Sequence, residues 1–188
     1  MIITISGTPG SGKSSVAKIV ASKLGLRHLS AGDFMRQMAQ ERGVTLLELS
    51  KQAEKDDSID HEIDKRTKLL EKDDNFVMDS RLAFHFLPKS VKVFLKVDLN
   101  VAVQRIHGDI TQNRRAVEKD VKTKADAKNA IERRKKSESL RYKKLYGIDY
   151  LDESHYDLVI DTTNESIESC AQKVIDFAEI FLNKRSSA

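Results

Sequence analysis

The residues Gly7-Thr8-Pro9-Gly10-Ser11-Gly12-Lys13-Ser14 match the pattern GxxxxGKS. An apolar run, Ile2 to Ile5, precedes them, and Ser15 to Leu24 follow with apolar positions at helical spacing, so strand, glycine loop and helix come in the order that a phosphate-binding loop requires. The chemistry explains the residue types. Gly7, Gly10 and Gly12 can take backbone conformations closed to other residues, which lets successive N–H groups turn inward around phosphate oxygens. The helix that starts near Lys13 adds unpaired donors and the positive end of its dipole. Lys13 should reach the β- and γ-phosphates and the Ser14 hydroxyl should ligate Mg²⁺, with Thr8, Pro9, Ser11 and Ser15 completing the ATP-binding segment. An accidental match, with the glycines merely making a turn, is the alternative.

Phosphoryl transfer needs a second anion grip, and arginine forks suit it because they hold phosphate bidentately. Arg36 lies one helical turn after Asp33, and Arg81 follows a strand that ends in Asp79. Asp33 could simply cap a helix, and Arg81 could be a surface ion pair. Arg114, Arg115, Arg133, Lys135 and Lys136 read as a solvated face. The five histidines show no i, i+4 pair, which argues against zinc or a histidine-based triad. His85, between two phenylalanines, reads as a packed or interfacial residue.

Five short apolar segments must position these groups: Ile2–Ile5, Leu26–Ser30, Asn75–Asp79, Val91–Val97 and Tyr156–Asp161. Helical patterns separate successive strands, which implies an α/β domain with a parallel sheet. Ligands in such sheets bind at the carboxyl ends of the strands, so the glycine loop, Ser30 and Asp79 should share one rim. Ala31-Gly32-Asp33 reads as a turn. From there to about Asp74 only helical signals appear, including a capping box at Thr45 and Glu48, so this is a helical insertion. A helix from Leu99 to His107 is expected to stop at Gly108, with a loop over Asp109 to Asn113. The segment Arg114 to Tyr146 is very polar, with sparse apolar positions at Val117, Val121, Ala125, Ile131, Leu140 and Leu145, and is expected to stand off the body as a flap. In the last helix Ile167, Ala171, Val174, Ala178 and Phe181 are expected to face the core, and the final five residues to fray.

The 188 residues suit one domain. With 39% hydrophobic and 33% charged residues and two prolines, the composition is that of a helix-rich globule rather than a disordered chain. Met1 leads straight into a strand, so no targeting segment is expected, and no apolar run has the length of a membrane span. Cys170 is the only cysteine, which excludes an internal disulfide and points to a reducing cytoplasm. The net charge of +4 is interspersed and gives little reason to expect a nucleic-acid partner.

GTPGSGKSS, then Ser30-Ala31-Gly32-Asp33 with Arg36, then Asp79-Ser80-Arg81, resembles the nucleoside monophosphate kinases, most closely cytidylate kinases of the compact type. Arg134, Glu138 and Arg141 repeat that family's arginine, acid, arginine spacing, and Tyr146 to Asp149 with Tyr156 to Thr162 are similar to its ending. The resemblance implies a three-layer P-loop kinase fold with a five-stranded parallel sheet, a helical acceptor-binding insertion over 31–72 and a lid over about 108–130. It implies ATP with Mg²⁺ as donor and CMP or dCMP as acceptor. Lys13, Arg134 and Arg141 would be catalytic. Ser30, Asp33, Arg36, Arg81 and Glu138 would serve the acceptor, and Asp33 and Asp79 would orient Mg²⁺ through water. Leu82 stands where longer bacterial members carry a base-reading aspartate, so the base contact is unassigned. The chain is expected to be a cytoplasmic monomer acting on small nucleotides, with no membrane and no nucleic-acid partner. Two alternatives are a kinase of another small acceptor, of adenylate or shikimate type, and an NTP-dependent module binding RNA or a partner protein.

Overall fold

The computed structural model describes residues 1–111 and 121–186. The strands are β1 (Ile2–Gly7), β2 (Arg27–Ser30), β3 (Phe76–Asp79), β4 (Val91–Lys96) and β5 (Leu158–Asp161). They form one parallel sheet in the order β2-β3-β1-β4-β5. Pleat alternation divides each strand between two cores. Ile3, Ile5, Val77, Val93 and Leu95 pack with α1 (Lys13–Lys23) and α8 (Ile167–Ser186) on one face. Phe76, Met78 and Phe94 face the other side, where α5 (Ala83–Phe86) and the tyrosines Tyr150 and Tyr156 cover them. The parallel sheet expected from the alternation of strands and helices is present, in the three-layer architecture that the resemblance implies.

Between β2 and β3 lie α2 (Ala31–Glu41), α3 (Leu46–Ala53) and α4 (Asp57–Leu69). They share a small core of Met38, Ala39, Leu49, Ala53 and Ile59, which lets the insertion hold its shape apart from the sheet. The capping box at Thr45 and Glu48 opens α3 as the sequence predicts. Ala31-Gly32-Asp33 is not a turn but the first turn of α2, capped by the Ser30 hydroxyl, which accepts from the Gly32 N–H.

Two sequence expectations fail between β4 and β5. Helix α6 (Leu99–Thr111) runs through Gly108, because one interior glycine costs only about 1 kcal/mol, which packing can override. The described part of the expected flap is docked as α7 (Lys124–Tyr146), capped by a Thr123–Asp126 box. Val121, Ala127 and Ile131 pack on Ala102, Val103 and Ile106 of α6, while Tyr142 and Tyr146 join the aromatic cluster at the other end. Aliphatic periodicity misses this helix because tyrosines and ion pairs hold its C-terminal half. Leu140 is 61% exposed. Arg114, Arg115 and Val117, along with 112–113 of the expected loop, lie outside the described residues. In α8, Ala171, Val174 and Ala178 are buried as expected, with Cys170 beside them, and Phe181 packs partly buried on the same core, but Ile167 is 41% exposed at the helix start, where its side chain precedes the first buried turn.

Candidate active site

The glycine loop connects β1 to α1, and its glycines are needed for different reasons. A Cβ on Gly7 would lie 2.3 Å from the Leu95 carbonyl oxygen, and one on Gly10, at φ 82°, would lie 2.8 Å from the Ala102 Cβ. The loop is pressed between the end of β4 and the flank of α6. Gly12 has open space but a φ of 82°, which favours a residue without Cβ. Helix α1 has neither a capping side chain nor an acid in its first turn. Its positive end is left for an anion. The Thr8 and Ser11 hydroxyl oxygens are buried without hydrogen-bond partners, a cost that a bound ligand could remove.

Lys13 forms an ion pair with Asp79 at the end of β3, whose carboxylate is 1% exposed. Ser14 and Ser15 are exposed at the start of α1. A tether that sequence reasoning did not resolve holds the loop. Arg105, on α6, donates from Nη1 to the Thr162 hydroxyl at 3.1 Å and the Gly10 carbonyl at 3.5 Å, and from Nη2 to the Thr162 carbonyl at 2.7 Å. The Thr162 hydroxyl in turn donates to the Ser11 carbonyl at 3.1 Å.

Arg81 lies beside this cradle because β3 delivers it there, and the Ser6 hydroxyl on β1 fixes its carbonyl at 3.1 Å. Its Nε donates to Glu138 at 2.9 Å, and the other oxygen of Glu138 accepts from Arg134 Nε at 2.9 Å. The Tyr150 hydroxyl completes the set at 3.2 Å. Burial alone would raise the Glu138 carboxyl, but the two guanidinium groups hold it down at about 2. Glu138 is therefore ionised and holds two arginines together across β3 and α7.

Asp33 and Arg36 form an exposed ion pair at the start of α2. The guanidinium folds back over Gly32, its Nη atoms 3.6 and 3.8 Å from where a Cβ would stand. Ser30 pairs in register with Asp79, so this group lies at the carboxyl end of β2. The rim thus carries three sets of residues: the glycine loop with Lys13, Asp79 and Arg105; Arg81 with Glu138 and Arg134; and Ser30 with Asp33 and Arg36.

Arg141 belongs to none of these. It faces Asp60 of α4, Nε to Oδ2, at 3.3 Å. Lys144 Nζ reaches Asp57 at 2.6 Å, and the Tyr146 hydroxyl donates to Asp64 and lies 3.3 Å from His61 Nδ1. This seam joins the insertion to α7. The signal for it was present in the sequence, since Asp57, Asp60 and Asp64 share one face of a helix, as do Arg141 and Lys144. His85 contacts the rings of Phe86 and Tyr146, which agrees with a packed role. A groove of about 280 Å³ between α6 and α7 is lined by Asn100, Val103, Gln104, Lys124, Ala125 and Lys128, none of which belongs to the rim.

Burial pushes the Asp64 carboxyl up to about 6, against the opposing hydrogen bond from Tyr146. In the unfolded chain its value is near 3.8. Between about pH 4 and 6 the folded chain holds a proton that the unfolded chain has released, so this group's stabilisation is lost as pH rises through that window. At 1.36 kcal/mol per unit the effect is at most about 3 kcal/mol. Asp64→Asn should therefore be more stable than the parent at pH 7 by about 1–2 kcal/mol, with the difference vanishing near pH 4. Denaturant melts of both proteins across that range test this, and a pH-independent difference would refute the assignment.

The Cytidylate kinase-like family matches residues 2–164. A cytidylate kinase of Methanocaldococcus jannaschii is 43% identical over 173 residues, covering 89% of this chain and 92% of that protein. One of Methanococcoides burtonii is 40% identical over 185 residues, covering 96% and 100%. Among solved structures, shikimate kinase of Bacteroides thetaiotaomicron has a TM-score of 0.64 at 16% identity, covering 95% of this chain and 98% of that one, which supports the fold alone.

Proposed function

The chain belongs to the cytidylate kinase-like family, and on that premise we propose how its own residues carry the reaction. The enzyme transfers the γ-phosphoryl group of ATP to CMP or dCMP, giving ADP and the nucleoside diphosphate. The observation that carries the reading is the rim itself, where an uncapped helix start with Lys13 stands beside the paired arginines Arg81 and Arg134.

A phosphate monoester has its second pKa near 6 and is a dianion at neutral pH, so its oxygen can attack without a general base. That oxygen bonds to the γ-phosphorus as the bond from phosphorus to the β–γ bridging oxygen breaks, and ADP leaves with the electron pair. Positioning and charge neutralisation are then nearly the whole task. In this reading the loop from Gly7 to Ser15 cradles ATP, and Lys13 leaves Asp79 for the β- and γ-phosphates. Arg36 and Arg81 hold the acceptor phosphate, with Ser30 and Asp33 beside it. Glu138 positions Arg81 and Arg134, and Arg134 approaches the phosphates when the insertion over 31–72 closes and excludes water, while Arg141 stays with Asp60 on the acceptor side.

The donor set suits Mg²⁺. Among the described residues no three His, Cys, Asp or Glu side chains converge, but Ser14 with Asp79 and Asp33 gives hydroxyl and carboxylate oxygens for an ion that keeps most of its waters. When bound, it would neutralise charge on the β- and γ-oxygens. Among the described residues no helix is long and apolar enough to cross a membrane. We place the protein in the cytoplasm as a monomer acting on free nucleotides, without a nucleic-acid partner.

The test is a panel of CMP, dCMP, UMP, AMP and shikimate with ATP and Mg²⁺. CMP or dCMP should stimulate ATP turnover above the rate with water. Equal turnover with every acceptor would reject the reading. Arg36→Ala should raise the KM for CMP about 10- to 100-fold, as loss of a charge-assisted hydrogen bond does, and leave that for ATP within twofold. A change in the ATP constant instead would reverse the assignment of the two sites.

A further inference from the structure

We propose that Asp60 reads the acceptor base: Oδ1 accepts a hydrogen bond from the exocyclic amino group of cytosine, while Arg141 holds the carboxylate through Oδ2. The inference rests on CMP being the acceptor, as argued above.

Among the described residues three carboxylates are buried, Asp60 at 7% exposure, Asp79 at 1% and Glu138 at 6%. Glu138 is taken by two arginines and a tyrosine, and Asp79, whose oxygens make no directed hydrogen bond either, lies under the glycine loop against Lys13. Asp60 faces α7 from the insertion instead. Its Oδ2 faces Arg141 Nε at 3.3 Å, but both atoms are buried without a properly directed hydrogen bond. Leaving such groups unsatisfied is costly, and most native structures avoid it. The remaining oxygen makes no hydrogen bond among the described residues, although 9% of the side chain is accessible.

Asp60 lies on the acceptor side of Arg81. Glu138, which holds Arg81, and Arg141, which holds Asp60, are three residues apart on α7, so the two carboxylates meet neighbouring turns of that helix. With the acceptor phosphate at Arg81, Asp60 is met beyond it, where the insertion faces α7. The residue after Arg81 cannot do the reading. Leu82 is 3% exposed and packed among Phe94, Tyr150 and Tyr156.

An ionised carboxylate is acceptor-only. Cytosine presents an amino donor at the position where uracil presents a carbonyl oxygen, so Asp60 would attract the first and repel the second. Such a site discriminates strongly because the wrong partner leaves a buried polar group unpaired. Asparagine at this position can donate as well as accept, which removes the repulsion.

The experiment measures kcat/KM for CMP, dCMP and UMP in the parent and in Asp60→Asn, with the KM for ATP as a control. The CMP to UMP ratio should fall about 10- to 100-fold, with the ATP constant within twofold. An equal fall for CMP and UMP would mean a structural role and overturn the proposal. So would a change confined to the CMP to dCMP ratio, which would place Asp60 on the sugar. Asp60→Glu, which keeps the charge but moves the oxygens, should also lower the ratio if Asp60→Asn fails to fold, and an unchanged ratio there would overturn the proposal. A parent enzyme inactive on CMP would remove the function itself, whereas an active parent with a variant of unchanged ratio removes only this inference.

Discussion

Lys13→Met should lower kcat by about 10³-fold or more, since it deletes the one side-chain cation of the glycine loop at the point where charge shifts during transfer. The same substitution strands Asp79, which is 1% exposed and has Lys13 as its ion-pair partner. Removing one member of a buried pair costs about 3–5 kcal/mol, so the variant should also melt early. The two effects can be separated. Adding Asp79→Asn should return most of the stability without restoring turnover, because the neutral amide tolerates burial but supplies no cation. Thermal melts and single-turnover rates on the two variants decide it, and turnover within tenfold of the parent would rule out the assigned role of Lys13.

The second large effect concerns Glu138. Its carboxylate is 6% exposed and bridges Arg81, whose side chain is 10% exposed, to Arg134. Glu138→Ala leaves a buried guanidinium without its counter-ion and should cost about 3–5 kcal/mol. For a chain of this length that is a Tm decrease on the order of 10 °C. The acceptor should bind more weakly than ATP does, because Arg81 would no longer be held toward the acceptor side of the rim. Glu138→Gln, which keeps an acceptor oxygen for one arginine, should fall between the parent and Glu138→Ala. A Tm within 2 °C of the parent together with an unchanged KM for CMP would show that the pairing is incidental.

These two residues also mark what the sequence made legible. Lys13 sits in a contiguous motif whose spacing is dictated by local backbone geometry, so eight residues suffice to place it. The five strands, the insertion and the shared rim follow from alternating periodicities of 2 and 3.6, whereas the order of strands in the sheet does not. Glu138 could be matched by spacing to a family set, but its burial between two arginines depends on how α7 crosses the end of β3, which no local pattern encodes. Helix α7 escapes aliphatic periodicity: Ala127 is buried against α6, Tyr142 and Tyr146 pack into the aromatic cluster, and Glu138 is buried as a paired charge. Gly108 shows the same limit, since its weak local preference yields to the packing of α6 on α7. The pairing of Asp60 has no local signature, because Arg141 lies 81 positions away in the chain.

The clearance between Gly10 and Ala102, together with the grip of Arg105 on Gly10 and Thr162, enlarges the footprint of the signature beyond its eight letters. A small side chain in the first turn of one helix and a hydroxyl just past the last strand are as much a part of the cradle's shape as its glycines. A chain that carried the eight letters but a bulky residue at position 102 would have the spelling without the contour, and would have to move either the loop or the helix to admit a triphosphate.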